Sequence, residues 1–489
     1  MPKNSSSKQN HKPWCFSTYF AEGFPYSVIR VLSSIFFTDI GMKERYIGYF
    51  NFLGIPWNFK FLWAPFLDLY GTKRGWMIVL QGLIAILTAG LAGSCFLAPH
   101  MADPLRVIEA SAIMLVILAF LSATNDIAID GYYIEAIPDK TEQAALTGFR
   151  VFAWRLALIA VKSGLVAIAA FVAAQSGNHD VYRPWAVAFA VAALTMAALT
   201  VIHILTLPRV ESGIHAFKTP KEIAAEFAEA FSTYLETTPV KLLRAVVTTT
   251  ALALLYAFTL MPILIKDSAA LTSLWYVLIP IICAAAFLGH LRKNIALSLL
   301  FIIFYKVGDE VLFSMGSTFL MRELLVTKAH MAWLAGIVGA IGSIIGTTIG
   351  GLWIKKVGFK KAIWPLTILM NFNIWAYIWL AHAHPTAKTA SGLAIIAAVH
   401  FYEQLAAGLG NASLIVFILR TCKPEFKASH YAVGSAIMSL FSTFFGGFGG
   451  VIVEQMGYLN MFLLAFGLSI PSMLLIFTLK LEDDAPIKG

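Results

Sequence analysis

Apolar residues in this chain come in long blocks rather than in alternation. About fourteen predominantly apolar stretches follow one another, at roughly 14–38, 46–66, 76–97, 106–134, 146–174, 184–206, 245–265, 269–289, 294–320, 331–354, 363–381, 390–419, 430–453 and 457–479. Each reaches the ~20 residues needed to cross a bilayer as a helix. Lipid offers no partner for an unpaired peptide group, so runs of this kind are helical. The pattern predicts an all-α membrane protein: a tail over 1–13, six spans over 14–206, a polar linker over 207–243, two further spans over 244–290, six more over 291–480 and a tail over 481–489. In the linker, Thr219-Pro220-Lys221-Glu222 reads as a capping box with proline at the first helical position. Ile223, Phe227, Phe231 and Tyr234 follow on one face, which predicts an amphipathic helix lying at the membrane surface.

The two sets of six spans look like copies of one another. Gly23 and Gly308 lie 285 residues apart, Gly71 and Gly358 287, and Asn125 and Asn411 286, as do Pro138 and Pro424, and Gly148 and Gly434. Two parallel six-helix repeats are the plan of the major facilitator fold, here with two helices inserted between the halves. The loop after the second span, Asp68-Leu69-Tyr70-Gly71-Thr72-Lys73-Arg74, resembles the signature loop of that fold, with Asp68, Gly71 and Lys73 in register. Gly71 allows a tight turn. Asp68, Gly71, Lys73 and Arg74 are therefore the candidate gating loop, with Asp68 read either as a latch or as an ordinary loop charge. In the second half Lys355 stands at the place of the signature aspartate.

Charge changes the picture next. Of 489 residues, 59% are hydrophobic and only 13% charged, against about 25% in soluble chains. The net charge of +9 does not come from a separate basic domain. With the N-terminus placed in the cytoplasm, 22 of the 36 Lys and Arg fall in cytoplasmic segments, 8 in external loops and 6 inside spans. This positive-inside bias puts both termini in the cytoplasm and argues against a nucleic-acid partner. Cys15, Cys95, Cys283 and Cys422 show no disulfide or metal spacing. The first span holds Glu22 and Arg30 and is read as retained, not as a signal peptide. No Walker loop, zinc spacing or G-x-S-x-G run is present, so the sequence supports no enzyme, cofactor or metal.

An ionisable side chain inside a span is costly unless paired or wetted, which makes it a functional candidate by default. With the halves numbered as spans 1–6 and 7–12, spans 3, 6, 9 and 12 and the inserted pair carry none in their interiors. Span 1 carries Glu22 and Arg30, span 4 Asp126 and Asp130, span 7 Lys306, Asp309 and Glu310, and span 10 Glu403 beside His400 and Gln404. In the major facilitator fold spans 1, 4, 7 and 10 line the central cavity. Lys60 on span 2 and Arg150, Arg155 and Lys162 on span 5 complete the buried cations. Asp126 and Asp130, four residues apart on one face, either couple protons or form an ion-pair lattice with span 5. Lys306 can neutralise Asp309 or Glu310, leaving one acid to take a proton. Glu22 precedes Gly23 and Pro25, where a helix break is expected; it either faces the cavity or pairs with Lys60 or a span 5 cation. The proton-coupling candidates are Glu22, Asp126, Asp130, Asp309, Glu310 and Glu403. The substrate-contact candidates are Arg30, Lys60, Asn125, Tyr132, Arg155, Lys162, Lys306, Gln404 and Asn411. The glycines Gly446, Gly447, Gly449 and Gly450 permit close helix approach and receive no ligand.

Three runs carry a more specific resemblance: Tyr19-Phe20-Ala21-Glu22-Gly23-Phe24-Pro25, Phe59-Lys60-Phe61-Leu62-Trp63-Ala64-Pro65-Phe66-Leu67-Asp68, and Ser122-Ala123-Thr124-Asn125-Asp126-Ile127-Ala128-Ile129-Asp130-Gly131-Tyr132. They resemble AmpG-type permeases, a group shared with acetyl-CoA transporters; Asn125 stands where the family motif has Gln or His. The resemblance implies import of GlcNAc-anhydroMurNAc muropeptides, in peptidoglycan recycling, across the inner membrane by proton symport. It leaves siderophore or acetyl-CoA transport as alternatives, and a non-transport assembly factor of the same fold as a further one. The expected partners are a muropeptide, protons and the lipid bilayer, with the chain acting as a monomer.

Overall fold

In the computed structural model, residues 11–176, 180–210, 219–255, 281–422, 427–479 and 481 are described. Among them every regular element is a helix. Among the described residues, eight helices are long and apolar enough to cross a membrane. The seventh span, Lys293–Arg322, is not among them, because every membrane-length window of it contains Lys306, Asp309 and Glu310. Residues 256–280 lie outside the described residues, so the inserted pair expected over 244–290 is seen only as Pro239–Leu255 and a helical stretch over 281–288.

The chain forms two compact units, one of Met1–Phe36 with Phe59–Lys218, the other of Phe37–Asn58 with Thr219–Gly489. In the first unit span 1 packs mainly on span 5 (Lys140–Ile159), and span 3 (Lys73–Leu97) on spans 4 (Pro104–Ala136) and 6 (Tyr182–Thr206). In the second, span 7 packs on the kinked pair Lys427–Leu475, and span 10 (Ala390–Thr421) on spans 8 (Gly339–Val357) and 9 (Phe359–Ala383). Gly71 (φ +72°) and Gly358 (φ +84°) turn the chain after spans 2 and 8 in the conformation that glycine alone adopts freely. The capping box of the linker helix Pro220–Tyr234 is formed in both directions between Thr219 and Glu222. The C-terminal end of that helix docks inside the second unit: Thr233 Oγ1 lies 2.9 Å from Nε2 of the buried His430, and Tyr234 Oη 3.3 Å from Thr421 Oγ1.

Several spans depart from regular α-helix. Span 1 runs as Lys12–Ser27, continues through a π-helical turn at Val28–Leu32 and ends as Ser33–Asp39. The break expected at Glu22 is therefore not there. Pro25 is absorbed within the helix and the wide turn comes three residues later, carrying Arg30. Span 5 has a matching π-helical turn at Ala160–Leu165, carrying Lys162, and the two turns pack against each other. Such turns recur at functional sites. The true discontinuity is in span 2. It is assembled from Glu44–Tyr49, Phe50–Gly54, Ile55–Phe59, Lys60–Leu62 and Ala64–Leu69, with Lys60 at a 3-10 turn.

Spans 8 and 10 approach backbone to backbone along Gly342, Gly346 and Gly350. A Cβ at Gly346 would strike the Leu405 carbonyl, whereas one at Gly351, a turn away, meets nothing. Gly346→Leu is expected to lower the thermal midpoint of the detergent-purified protein, with a loss at or above the ~1–3 kcal/mol of an overpacked core. Gly351→Leu is expected to leave it unchanged. Fluorescence-detected size-exclusion chromatography after heating measures both.

Candidate functional site

The first unit gathers its charges between spans 1, 2, 4 and 5. Lys60 Nζ, at the break in span 2, lies 3.7 Å from Asp126 Oδ2 on span 4. Glu22 faces both from regular helix, and the charges acting on it are Asp126, Asp130, Lys60 and Arg150. Its Oε2 is buried and has no hydrogen-bond partner. Asp126 is only 6% exposed. Three carboxylates, Glu22, Asp126 and Asp130, thus act on one another with two cations, Lys60 and Arg150, among them. Such a group carries one uncompensated negative charge unless it holds a proton.

Asp130, one helical turn from Asp126, has a different environment. Its Oδ1 accepts from Tyr19 Oη at 2.8 Å and from Arg150 Nη2 at 2.9 Å. The Arg150 guanidinium lies between the rings of Tyr19 and Tyr133, 4.1 Å from each centroid. This is a charge-assisted, stacked clamp that satisfies Asp130. Of the two readings of the aspartate pair, the lattice describes Asp130, while Asp126 keeps company with Glu22.

Asn125 and Tyr132, expected at the substrate, are occupied elsewhere. Asn125 has no exposed surface; its amide donates to the Ala21 carbonyl and accepts from Gln81. Tyr132 is 1% exposed, donates to the Pro208 carbonyl at 2.8 Å and packs edge-on against Trp14. Arg155 is half-buried and, among the described residues, has neither ion pair nor hydrogen bond. In the gating loop the Asp68 side chain lies outside the described residues. Lys73 is buried along Gly131, and Arg74 caps span 6 through the carbonyls of Ile204 and Leu207.

In the second unit Lys306 pairs with Asp309 within span 7. On span 10, Glu403 accepts from Gln404 Nε2 at 2.9 and 3.0 Å and lies 3.3 Å from His400 Nδ1, which is 3.1 Å from Tyr377 Oη. Glu310 and Glu403 act on Lys306, so the span 7 and span 10 acids share one lysine. Asn411 is half-buried and directly follows Gly410, where, with Gly408, spans 8 and 9 pack closely on span 10.

Sequence reasoning missed a second set of charges in this unit. The segment Phe37–Asn58 is held by Asp39 to Lys328 (2.7 Å), by Glu44 to Arg322 (2.5 Å) and by Arg45 to Glu454 (2.5 Å). Arg322 also donates to the carbonyls of Thr38 (3.1 Å) and Met42 (2.6 Å). Beneath these pairs Gly48 lies against Gly447 and Gly450, and Asn51 donates to the Gly446 carbonyl. The only signal in the sequence was opposite charge in loops far apart along the chain. Arg322→Gln removes the guanidinium from one carboxylate and two carbonyls. It is expected to destabilise the purified protein by about 1–3 kcal/mol, discounted for partial exposure, read as a lowered thermal midpoint.

No family model matches the chain. It is 24% identical to the anhydromuropeptide permease of Escherichia coli (strain K12) over 466 residues, covering 94% of this chain and 78% of that protein. It is 23% identical over 467 residues to a protein of Rickettsia conorii named as transporter AmpG 4, covering 94% of each. Among solved structures it is similar to the xylose transporter XylE from E. coli in an inward-open conformation (TM-score 0.59, 11% identity, 96% of both chains). It is likewise similar to a POT family transporter in complex with 5-aminolevulinic acid (TM-score 0.58, 15% identity, 95% of this chain and 94% of that one). The fold is that of the major facilitator transporters, and the similarity to AmpG-type permeases extends over nearly the whole chain. The eight long apolar helices make the chain an integral membrane protein of that fold.

Proposed function

We propose that this transporter imports anhydromuropeptides across the inner membrane together with protons, with Glu22 and Asp126 as the coupling pair. The observation that carries the coupling is the Glu22–Lys60–Asp126 group: the buried Asp126, one lysine, and the half-buried Glu22, whose buried Oε2 has no hydrogen-bond partner. Deprotonated, the group holds a net negative charge in a low-dielectric surround. One proton neutralises it and lowers the cost of moving it through a closed intermediate. The substrate class follows the printed name of the E. coli relative. It is supported by Arg155, a cation without an acid partner among the described residues, which suits a carboxylate-bearing sugar or peptide. Arg30 and Lys162, on facing π-helical turns, extend that basic lining. In the second unit Lys306, Gln404 and Asn411 are the further substrate contacts, and Asp309, Glu310 and Glu403 a second proton-accepting set.

With the termini cytoplasmic, the ion pairs of Asp39, Glu44 and Arg45 lie at the external end. They tie the Phe37–Asn58 segment into the second unit there. The loop of Asp68, Gly71, Lys73 and Arg74 serves the opposite end, and the chain works as a monomer.

Purified protein in liposomes is expected to accumulate labelled GlcNAc-anhydroMurNAc-peptide when an inward proton gradient is imposed. Absence of uptake, alongside gradient-driven uptake of a ferric siderophore or acetyl-CoA, overturns the substrate. Glu22→Gln is expected to reduce gradient-driven uptake by roughly tenfold or more, the equivalent of ~1.4 kcal/mol, with the protein assembled to wild-type levels. Undiminished uptake removes Glu22 from the coupling role.

A further inference from the structure

Spans 3 and 6 carry no charged residue in their interiors, yet each buries one polar side chain with no exposed surface, Gln81 and His203. Neither belongs to the substrate or proton groups above. With Asn125 they form a continuous chain of hydrogen bonds. Asn125 Nδ2 donates to the Ala21 carbonyl at 3.2 Å. Gln81 Nε2 donates to Asn125 Oδ1 at 3.3 Å. His203 Nδ1 lies 2.6 Å from Gln81 Oε1, and His203 Nε2 3.0 Å from Ser17 Oγ.

The direction of this chain follows from its anchor. A backbone carbonyl only accepts, so Asn125 presents its amino group to Ala21 and its carbonyl oxygen to Gln81. Gln81 must then donate with its amino group and accept with its oxygen. That assigns a proton to His203 Nδ1, and Nε2 of the neutral ring accepts when the single Ser17 hydroxyl proton turns toward it from the Trp14 carbonyl, 3.1 Å from Ser17 Oγ. Every polar atom in the interior of the thread is satisfied, as an apolar surround requires. The path also closes on itself. It leaves span 1 at Ala21, crosses spans 4, 3 and 6, and returns to span 1 at Ser17, one helical turn away.

Its position gives it meaning. Ala21 precedes Glu22, and Asn125 precedes Asp126. The bond between Ala21 and Asn125 therefore sets the register of span 1 on span 4 one residue from both carboxylates. We infer that Gln81 and His203 are positioning residues: through Asn125 they hold Glu22 and Asp126 in the geometry in which the two acids share Lys60. This rests on the reading of Glu22 and Asp126 as the coupling pair. The charged groups that face Glu22 are Asp126 and Asp130 on span 4, Lys60 on span 2 and Arg150 on span 5. His203 acts on none of them directly, but through the thread.

The test compares His203→Leu, which removes both bonds; Gln81→Met, which removes the middle of the thread and leaves the histidine; and His203→Gln, whose carboxamide donates and accepts without titrating. Each is reconstituted, normalised to assembled protein, and assayed for proton-gradient-driven uptake of labelled GlcNAc-anhydroMurNAc-peptide across external pH. The Leu and Met variants are expected to shift the pH midpoint of uptake and to lose roughly tenfold or more in rate, the scale on which a small misplacement of reacting groups acts. The Gln variant is expected to keep the wild-type profile. Wild-type pH profiles in the Leu and Met variants overturn the positioning role. So does a Gln variant as impaired as the Leu one, since that result assigns the effect to titration of His203 itself. If wild-type uptake does not respond to the proton gradient and Glu22→Gln leaves the pH profile unaltered, the coupling reading fails instead, and the two failures are told apart.

Discussion

The constraint on which this structure turns is the cost of an ionisable group in the bilayer interior. Every charge buried there must be offset by an opposite charge, a hydrogen bond or a proton. The molecule meets that demand locally. Lys60 faces Asp126, Arg150 faces Asp130 between two tyrosine rings, and Lys306 faces Asp309. For Glu22 the offset is incomplete: the lysine that acts on it is already engaged with Asp126, and its Oε2 has no hydrogen-bond partner. A group neutralised only by a proton makes the protonation state part of the conformational equilibrium. That is the physical content of coupling.

The surrounding architecture serves that cluster. Close glycine contacts, such as Gly23 on Trp154 in the first unit and Gly346 on Leu405 in the second, let helices meet backbone to backbone. The packing then resists shear and moves as a body. Three of the places where helices are not regular carry charge, Lys60 on the 3-10 turn of span 2 and Arg30 and Lys162 on π-helical turns, whereas the π-helical turn Leu334–Val338 carries none. Irregular backbone at membrane depth is tolerated where protein or a wetted cavity covers it. The three ion pairs on Phe37–Asn58 and the polar thread through His203 do opposite kinds of work. The first set joins loop ends within the second unit. The second lies in the interior and fixes a register.

Much of this was legible before any coordinates. A single acid in a long apolar run is conspicuous, so Glu22, Asp126, Asp309 and Glu403 could be picked out from the pattern alone. The repeat was visible because glycine punctuates turns, and Gly71 and Gly358 do share a left-handed conformation. Pairing was not legible. Nothing in the spacing distinguishes Asp126, beside Lys60, from Asp130, clamped by Arg150, because both are four residues apart on one face. Asn125 and Tyr132 looked like ligand contacts because they border the acids, but helical rotation turns them into the protein, toward Gln81 and Pro208. The kink was expected from Gly23 and Pro25, yet a proline can be carried inside a helix when the following turn widens. Gln81 and His203 were passed over because uncharged polar residues do not interrupt hydropathy enough to be counted.

The most direct measurement is the proton movement that accompanies substrate. Liposomes containing the protein, with no imposed gradient, are given anhydromuropeptide outside while external pH is recorded in weakly buffered medium. The expected result is a substrate-dependent alkalinisation that collapses with an uncoupler and disappears in Glu22→Gln. Uptake of labelled substrate with no accompanying change in external pH would contradict the assignment of the Glu22–Lys60–Asp126 group as the coupling site.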